Sequence, residues 1–224
     1  MSSILVTIPI EERIKRDRGW SMDEGDRHFR GRGLVFATLR KIAARLEDIG
    51  VPYAVAGALA MDAHGLRRLT VGVDILIDRA GLDALHHAVV GLGYVPLFAG
   101  SKSLRDVEHG VRIEFLIAGD FPGDGKPKPI AFPRPDDASI ALEGIRFLTL
   151  PRLVELKLAS GMTGGIPRLK DLADVVELVK TLDLPGAFAA ELHPFVREKY
   201  LELWTGIRDS PPGPLESRRE TGRA

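Results

Sequence analysis

The chain contains no cysteine. That excludes disulfides, thiolate zinc sites and a cysteine nucleophile, and it fits a reducing compartment. Net charge is missing too, with 31 Lys plus Arg against 31 Asp plus Glu. A chain so balanced exerts no general pull on nucleic acid or an anionic membrane, although it leaves room for a local basic pocket. No apolar run approaches the ~20 residues that cross a bilayer. The opening segment, MSSILVTIPIEERIKRD, has neither the basic region nor the small-residue cleavage site of a signal peptide. These absences lead to the expectation of a cytoplasmic protein. There is no internal repeat, and the phosphate-loop spacing GxxxxGK[ST] is absent, since Pro127 follows Gly125-Lys126. The six histidines form no i, i+4 pair beside an acid, and Ser101, Ser103 and Ser160 lack a nucleophile-elbow setting.

What is present is an ordinary globular composition, 45% hydrophobic and 28% charged over 224 residues. That length buries a real core as one domain or two small ones. Residues 1–33 read as a charged N-terminal arm. In residues 34–49, Val35, Leu39, Ile42, Leu46 and Ile49 form one helical stripe, stopped by Gly50. Residues 53–78 (YAVAGALAMDAHGLRRLTVGVDILID) read as strand, tight turn, short helix, basic turn and strand. A helix over 81–90 follows, then a hairpin with strands 104–108 and 111–117 turned at His109-Gly110. Residues 119–135 are too rich in Gly and Pro for a regular element. Strands at 139–142 and 145–149 precede helices at 151–160, 168–182 and 187–204, and 208–224 has the composition of a disordered tail. The outline is an α/β (α+β) fold: a mixed-sheet core over 34–150, with a helical part, 151–207, packed on one edge.

Two constellations carry candidate chemistry. On the strand 71–77, positions 72, 74 and 76 share a face and hold Gly72, Asp74 and Leu76. Asp74 is either a strand-end carboxylate in solvent or, with Glu114 from a neighbouring strand, part of an oxygen cage for a cation. Gly57-Ala58, where strand becomes helix, lets backbone amides approach an anion. The second constellation is helical: Lys157, then Lys170, Asp171 and Asp174 on the arc left by the stripe Leu169, Leu172, Val176 and Val179. It is either a solvated face with Lys170 paired to Asp174, or a phosphate contact near a helix N-terminus. Lys126 and Lys128 lie in the Gly/Pro-rich loop as a solvated stretch or a lid.

Together these residues resemble the nucleotidyltransferase fold of the DNA polymerase beta type in its minimal bacterial branch. That branch includes aminoglycoside and lincosamide nucleotidyltransferases and AbiEii-type toxins of toxin–antitoxin systems. The resemblance rests on Gly57-Ala58, Ala60, His64-Gly65, the run Arg68-Leu69-Thr70-Val71-Gly72-Val73-Asp74, Glu114, and Lys157 with Lys170-Asp171 and Asp174. It spans residues 34–182 and implies magnesium-dependent transfer of a nucleotidyl group from a nucleoside triphosphate to a hydroxyl on a small molecule, protein or RNA. It further implies that Gly57, Ala58, Arg68, Thr70, Lys157 and Lys170 meet the nucleotide and that Asp74 and Glu114 hold magnesium. Glu114 would also take the acceptor's proton, and Asp171 would orient a lysine or the acceptor. The chain departs from the pattern at Ala58, in place of a second Gly or Ser, and at Gly72, in place of the first of two aspartates. The second departure implies impaired transfer or, alternatively, a catalytically silent member that binds a nucleotide or a partner.

Overall fold

A computed structural model describes residues 8–209 of the chain. The elements run α1 (Ile10–Arg16), α2 (Arg18–Phe29), α3 (Leu34–Asp48), β1 (Tyr53–Ala56), α4 (Gly57–Ala63), β2 (Gly72–Ile77), α5 (Arg79–Val89) and β3 (Tyr94–Pro96). They continue as β4 (Leu104–Asp106), β5 (Arg112–Ile117), α6 (Pro135–Ala138), β6 (Ser139–Leu142), β7 (Ile145–Leu148), α7 (Leu150–Thr163), α8 (Leu169–Thr181) and α9 (Pro194–Asp209). Short 3-10 turns precede α8 and α9. The tail expected at 208–224 lies outside the described residues from 210 onward.

Seven strands form one mixed sheet in the order β3-β4-β5-β2-β1-β7-β6. Its centre fixes the site. β1 runs antiparallel to β2, pairing Ala56 with Asp74, and β2 runs parallel to β5, pairing Gly72 with Arg112 and Asp74 with Glu114. Alternation on β5 buries Ile113, Phe115 and Ile117 and turns Arg112, Glu114 and Leu116 the other way. The core gathers the inner faces of α3, α5 and the central strands with α7, α8 and α9.

Residues 8–33 dock against the core at a few points. Ile10 is buried in the core, and Glu24 of α2 caps α3 by accepting from Leu34 N at 2.5 Å. On α3 the expected stripe holds except for Ile49, which lies past the helix end and is exposed. The hairpin between β4 and β5 is wider than a two-residue turn: Val107 to Val111 form the connection, closed by Asp106 N to Val111 O at 2.9 Å. Buried Asp106 explains the width. It accepts from Lys41 Nζ at 2.8 Å, from Thr38 Oγ1 at 3.1 Å and from Glu108 N at 3.1 Å, so the loop wraps around a carboxylate that ties it to α3. The helix expected over 187–204 is a 3-10 turn to Glu191 followed by a new helix at Pro194, because proline suits a first turn and cannot continue one. Buried Glu155 of α7 accepts from His193 N at 2.6 Å and pins that new start.

Candidate functional site

A cavity of about 350 Å³ opens between the central strands and the helices α7 and α8. Its floor is Ala56, Gly57, Ala58, Gly72, Asp74, Arg112 and Glu114. Arg68, Leu69 and Thr70 form one wall, and Lys157, Ser160, Arg168, Lys170, Asp171 and Asp174 form the other. Every site residue expected from the sequence therefore lines one cavity: Gly57, Ala58, Arg68, Thr70, Asp74, Glu114, Lys157, Lys170 and Asp171.

Local physics explains the floor. Gly57 has φ +60, the left-handed region that glycine adopts without a Cβ penalty. A Cβ there would also overlap Asp74 Oδ2. The strand-to-helix turn thus lets backbone approach the carboxylate more closely than any side chain permits. Gly57→Ala is expected to lower stability by about 1–3 kcal/mol through overpacking and to push Asp74 off its position. Urea unfolding measures the first effect, and an unchanged midpoint would show that the carboxylate simply turns aside.

Asp74 is half-buried, and its carboxyl is pushed above the usual carboxylate range, first by desolvation and next by the negative charge of Glu114. Lys157, Arg112 and Lys170 pull the other way. A carboxyl whose folded value is raised favours folding in its acid form, and that contribution is lost as pH rises through the raised value. Asp74→Asn is therefore expected to melt higher than the natural chain at pH 7. The gap should close as pH falls from the raised value through 3.8, where Asp74 itself becomes neutral in both states. Melting curves across that range check the sign; a variant that melts lower at pH 7 would show that Asp74 is held by favourable contacts instead.

The helical wall is an ion network. Lys157 Nζ donates to Asp174 Oδ2 at 2.6 Å and Asp171 Oδ1 at 3.4 Å, Ser160 Oγ donates to Asp171 Oδ2 at 2.7 Å, and Arg168 lies 3.8 Å from Asp171. Arg68 reaches across the cavity to Asp174. The arrangement corrects the helical stripe. On α8 it is Asp171, Asp174, Val175, Leu178 and Val179 that are buried, while Leu169 is exposed. Asp174 pairs with Lys157 and Arg68, not with Lys170, which stays exposed at the cavity edge.

Sequence reasoning missed what holds the Arg68 loop. His28 of α2 is buried, and its Nε2 donates to Arg68 O at 3.0 Å. His64 Nε2 donates to Leu148 O at 2.7 Å, anchoring the end of α4 to β7. Thr70 Oγ1 bonds both Gly72 O and Gly72 N, at 3.3 and 3.4 Å, and so sets the start of β2. The loop 119–135 is also folded back on itself. Lys128 Nζ is held by Pro122 O at 2.5 Å and Asp124 at 2.6 Å, and Pro122, Gly123 and Phe132 contribute to the cavity wall. Neither Lys126 nor Lys128 reaches into the cavity.

The donor set bears directly on magnesium. Arg112 Nε lies 3.2 Å from Glu114 Oε1, so that carboxylate already has a cation. Asp171 and Asp174 are paired as well, and Gly72 brings no oxygen from its side chain. Asp78 caps α5 by accepting from Gly81 N at 2.6 Å, while Asp62 lines a separate cavity beside α2 and α3, so neither supplies the missing ligand. Among the described residues no group of three His, Asp or Glu side chains could hold a metal ion. The expected pair Asp74 and Glu114 is adjacent, but it does not fit a protein-held magnesium centre.

No family model and no curated sequence matches the chain. Solved structures similar to it include the following three. ANT(2'')-Ia in complex with adenylyl-2''-tobramycin matches at 15% identity and TM-score 0.49, over 77% of this chain and 95% of that one. A protein of Thermotoga maritima, provisionally described as a nucleotidyltransferase, matches at 18% and 0.43, over 62% and 91%. One from H. pylori, described in the same provisional terms, matches at 15% and 0.42, over 83% and 94%. At TM-scores below 0.5 these matches decide nothing about chemistry, which has to rest on the cavity's own residues. The chain is thus similar to solved structures of which two are provisionally described as nucleotidyltransferases.

Proposed function

We propose that the cavity takes a nucleoside triphosphate and that the chain transfers a nucleotidyl group from it to a hydroxyl acceptor. The observation that supports this most is the register of β1, β2 and β5. It sets Gly57, Asp74 and Glu114 side by side beneath a wall of cationic side chains. In such a transfer the acceptor oxygen attacks the α-phosphorus, the bond to the bridging β-phosphate oxygen breaks, pyrophosphate leaves, and a carboxylate takes the acceptor's proton. Asp74 suits that last task better than Glu114. Burial favours its acid form, whereas Glu114 already faces Arg112. Arg68, Lys157 and Lys170 counter the phosphate charge, and Asp171 keeps Lys157 in place.

The test is transfer of label from α-labelled ATP, GTP, CTP and UTP, with and without magnesium, onto a panel of small polyols and aminoglycosides, proteins and RNA. Label on an acceptor with release of pyrophosphate supports the reading; none from the natural chain or from Gly72→Asp overturns it. Gly72 favours a second reading, a silent binder that keeps the pocket. Its mark would be thermal stabilisation by a triphosphate with no turnover.

A further inference from the structure

Four carboxylates and five cationic side chains line the cavity. Asp174 is held by Lys157 and Arg68, Asp171 by Lys157 and Arg168, and Glu114 by Arg112. Among these four, Asp74 alone has no ion pair within 4.0 Å. A divalent cation held by the protein needs several oxygens, and here one carboxylate is unclaimed. A phosphate chain needs the opposite: planar, multiply donating cations that can turn toward it. Arg68 and Arg112 are of that kind. Their side chains are 42% and 43% exposed, and each leans on a single carboxylate across the open face of the cavity. Arg112 sits in register with Gly72, where the strand face carries no side chain at all. A guanidinium that leaves Glu114 for a phosphate therefore meets no side chain from β2 at that position.

Building on the triphosphate reading above, we propose that Arg68 and Arg112 bind the phosphate chain in place of a divalent cation, so that nucleotide binding at this site is independent of magnesium. Phosphate oxygens replace Asp174 and Glu114 as partners of the two guanidinium groups, a bidentate exchange of one oxyanion for another. Lys157, buried between Asp171 and Asp174, stays where it is and keeps Asp174 neutralised once Arg68 has turned.

Calorimetric titration of the full chain with inorganic tripolyphosphate and with ATP, each in excess EDTA and in magnesium, tests this. Tripolyphosphate is the probe that does not depend on which base the pocket prefers. Binding in EDTA at least as tight as in magnesium is expected, with a loss of tenfold or more in EDTA for Arg112→Ala and for Arg68→Ala. Arg112→Lys should recover part of that loss, and Arg45→Ala, an exposed arginine of α3 paired with Asp48, should change nothing. Binding seen only with magnesium, or an unchanged affinity for Arg112→Ala of native melting temperature, overturns the proposal and leaves the triphosphate site standing. No binding of either probe in either buffer overturns both.

Discussion

Lys157→Met is expected to destabilise the chain by about 3 kcal/mol, because it strips the cation from two carboxylates that folding has already buried. Asp171 and Asp174 are 6% and 7% exposed, and Lys157 is 8% exposed. Methionine fills most of the lysine's volume, so the loss isolates charge from packing. Some of the network survives: Asp174 keeps Arg68, and Asp171 keeps Ser160 Oγ at 2.7 Å. For that reason the expected cost sits at the lower end of what breaking a buried pair does. Urea unfolding at pH 7 reads it directly. The double variant Lys157→Met with Asp174→Asn should recover part of the loss, since it removes one under-neutralised charge, and together with Asp174→Asn alone it closes the cycle that gives the coupling between the two positions. A loss below about 1 kcal/mol would mean that cavity water screens the network as it would a surface pair.

That network also marks where the sequence stops being legible. A 3.6-residue period on α8 selects Leu169, Leu172, Val176 and Val179, as hydrophobicity alone should. The face that packs instead includes Asp171 and Asp174, because α7 brings a buried lysine opposite them. Charge pairing between helices leaves no trace in the periodicity of either one. The strands were easier. Parity alone puts Asp74 and Gly72 on one face and Glu114 opposite Ile113, and pairing of β2 with β5 then adds the register that makes Asp74 and Glu114 neighbours. β3 escaped notice because three residues after Gly91 and Gly93 hold no alternation to count. By composition the charged start of the chain reads as an arm, either solvated or docked, and nothing in that composition singles out Ile10, Glu24 and His28, the residues that dock it. The resemblance was carried by the motif residues, and most of them share one cavity, Ala60, His64, Gly65 and Val73 lying outside its lining. Missing from them were the supports: His28 under Arg68, and Arg112 beside Glu114.

Gly72→Asp is expected to fold and, if the chain transfers nucleotides, to raise the rate by two to three decades, about 3–4 kcal/mol of added electrostatic stabilisation. The fold should accept it. Gly72 is not in the left-handed region, and the tightest contact a Cβ would make is Arg112 O at 3.2 Å, which asks for a shift of a few tenths of an ångström. A third carboxylate beside Asp74 and Glu114 would ordinarily be repelled. Here it arrives in register with Arg112, whose charge offsets it. The substitution also shifts the balance of the site, because the introduced carboxylate and Asp74 together add an oxygen pair that the natural chain lacks. Nucleotide binding by the variant should therefore become magnesium-dependent, in contrast to the magnesium-independent binding proposed for the natural chain. Paired measurements of label transfer and of ATP binding, each in EDTA and in magnesium, separate the two effects. A variant that gains magnesium dependence in binding without any gain in transfer would locate the defect elsewhere, in the proton acceptor or the acceptor pocket. A variant that folds natively and gains neither would mean that position 72 is not where this site is short of charge.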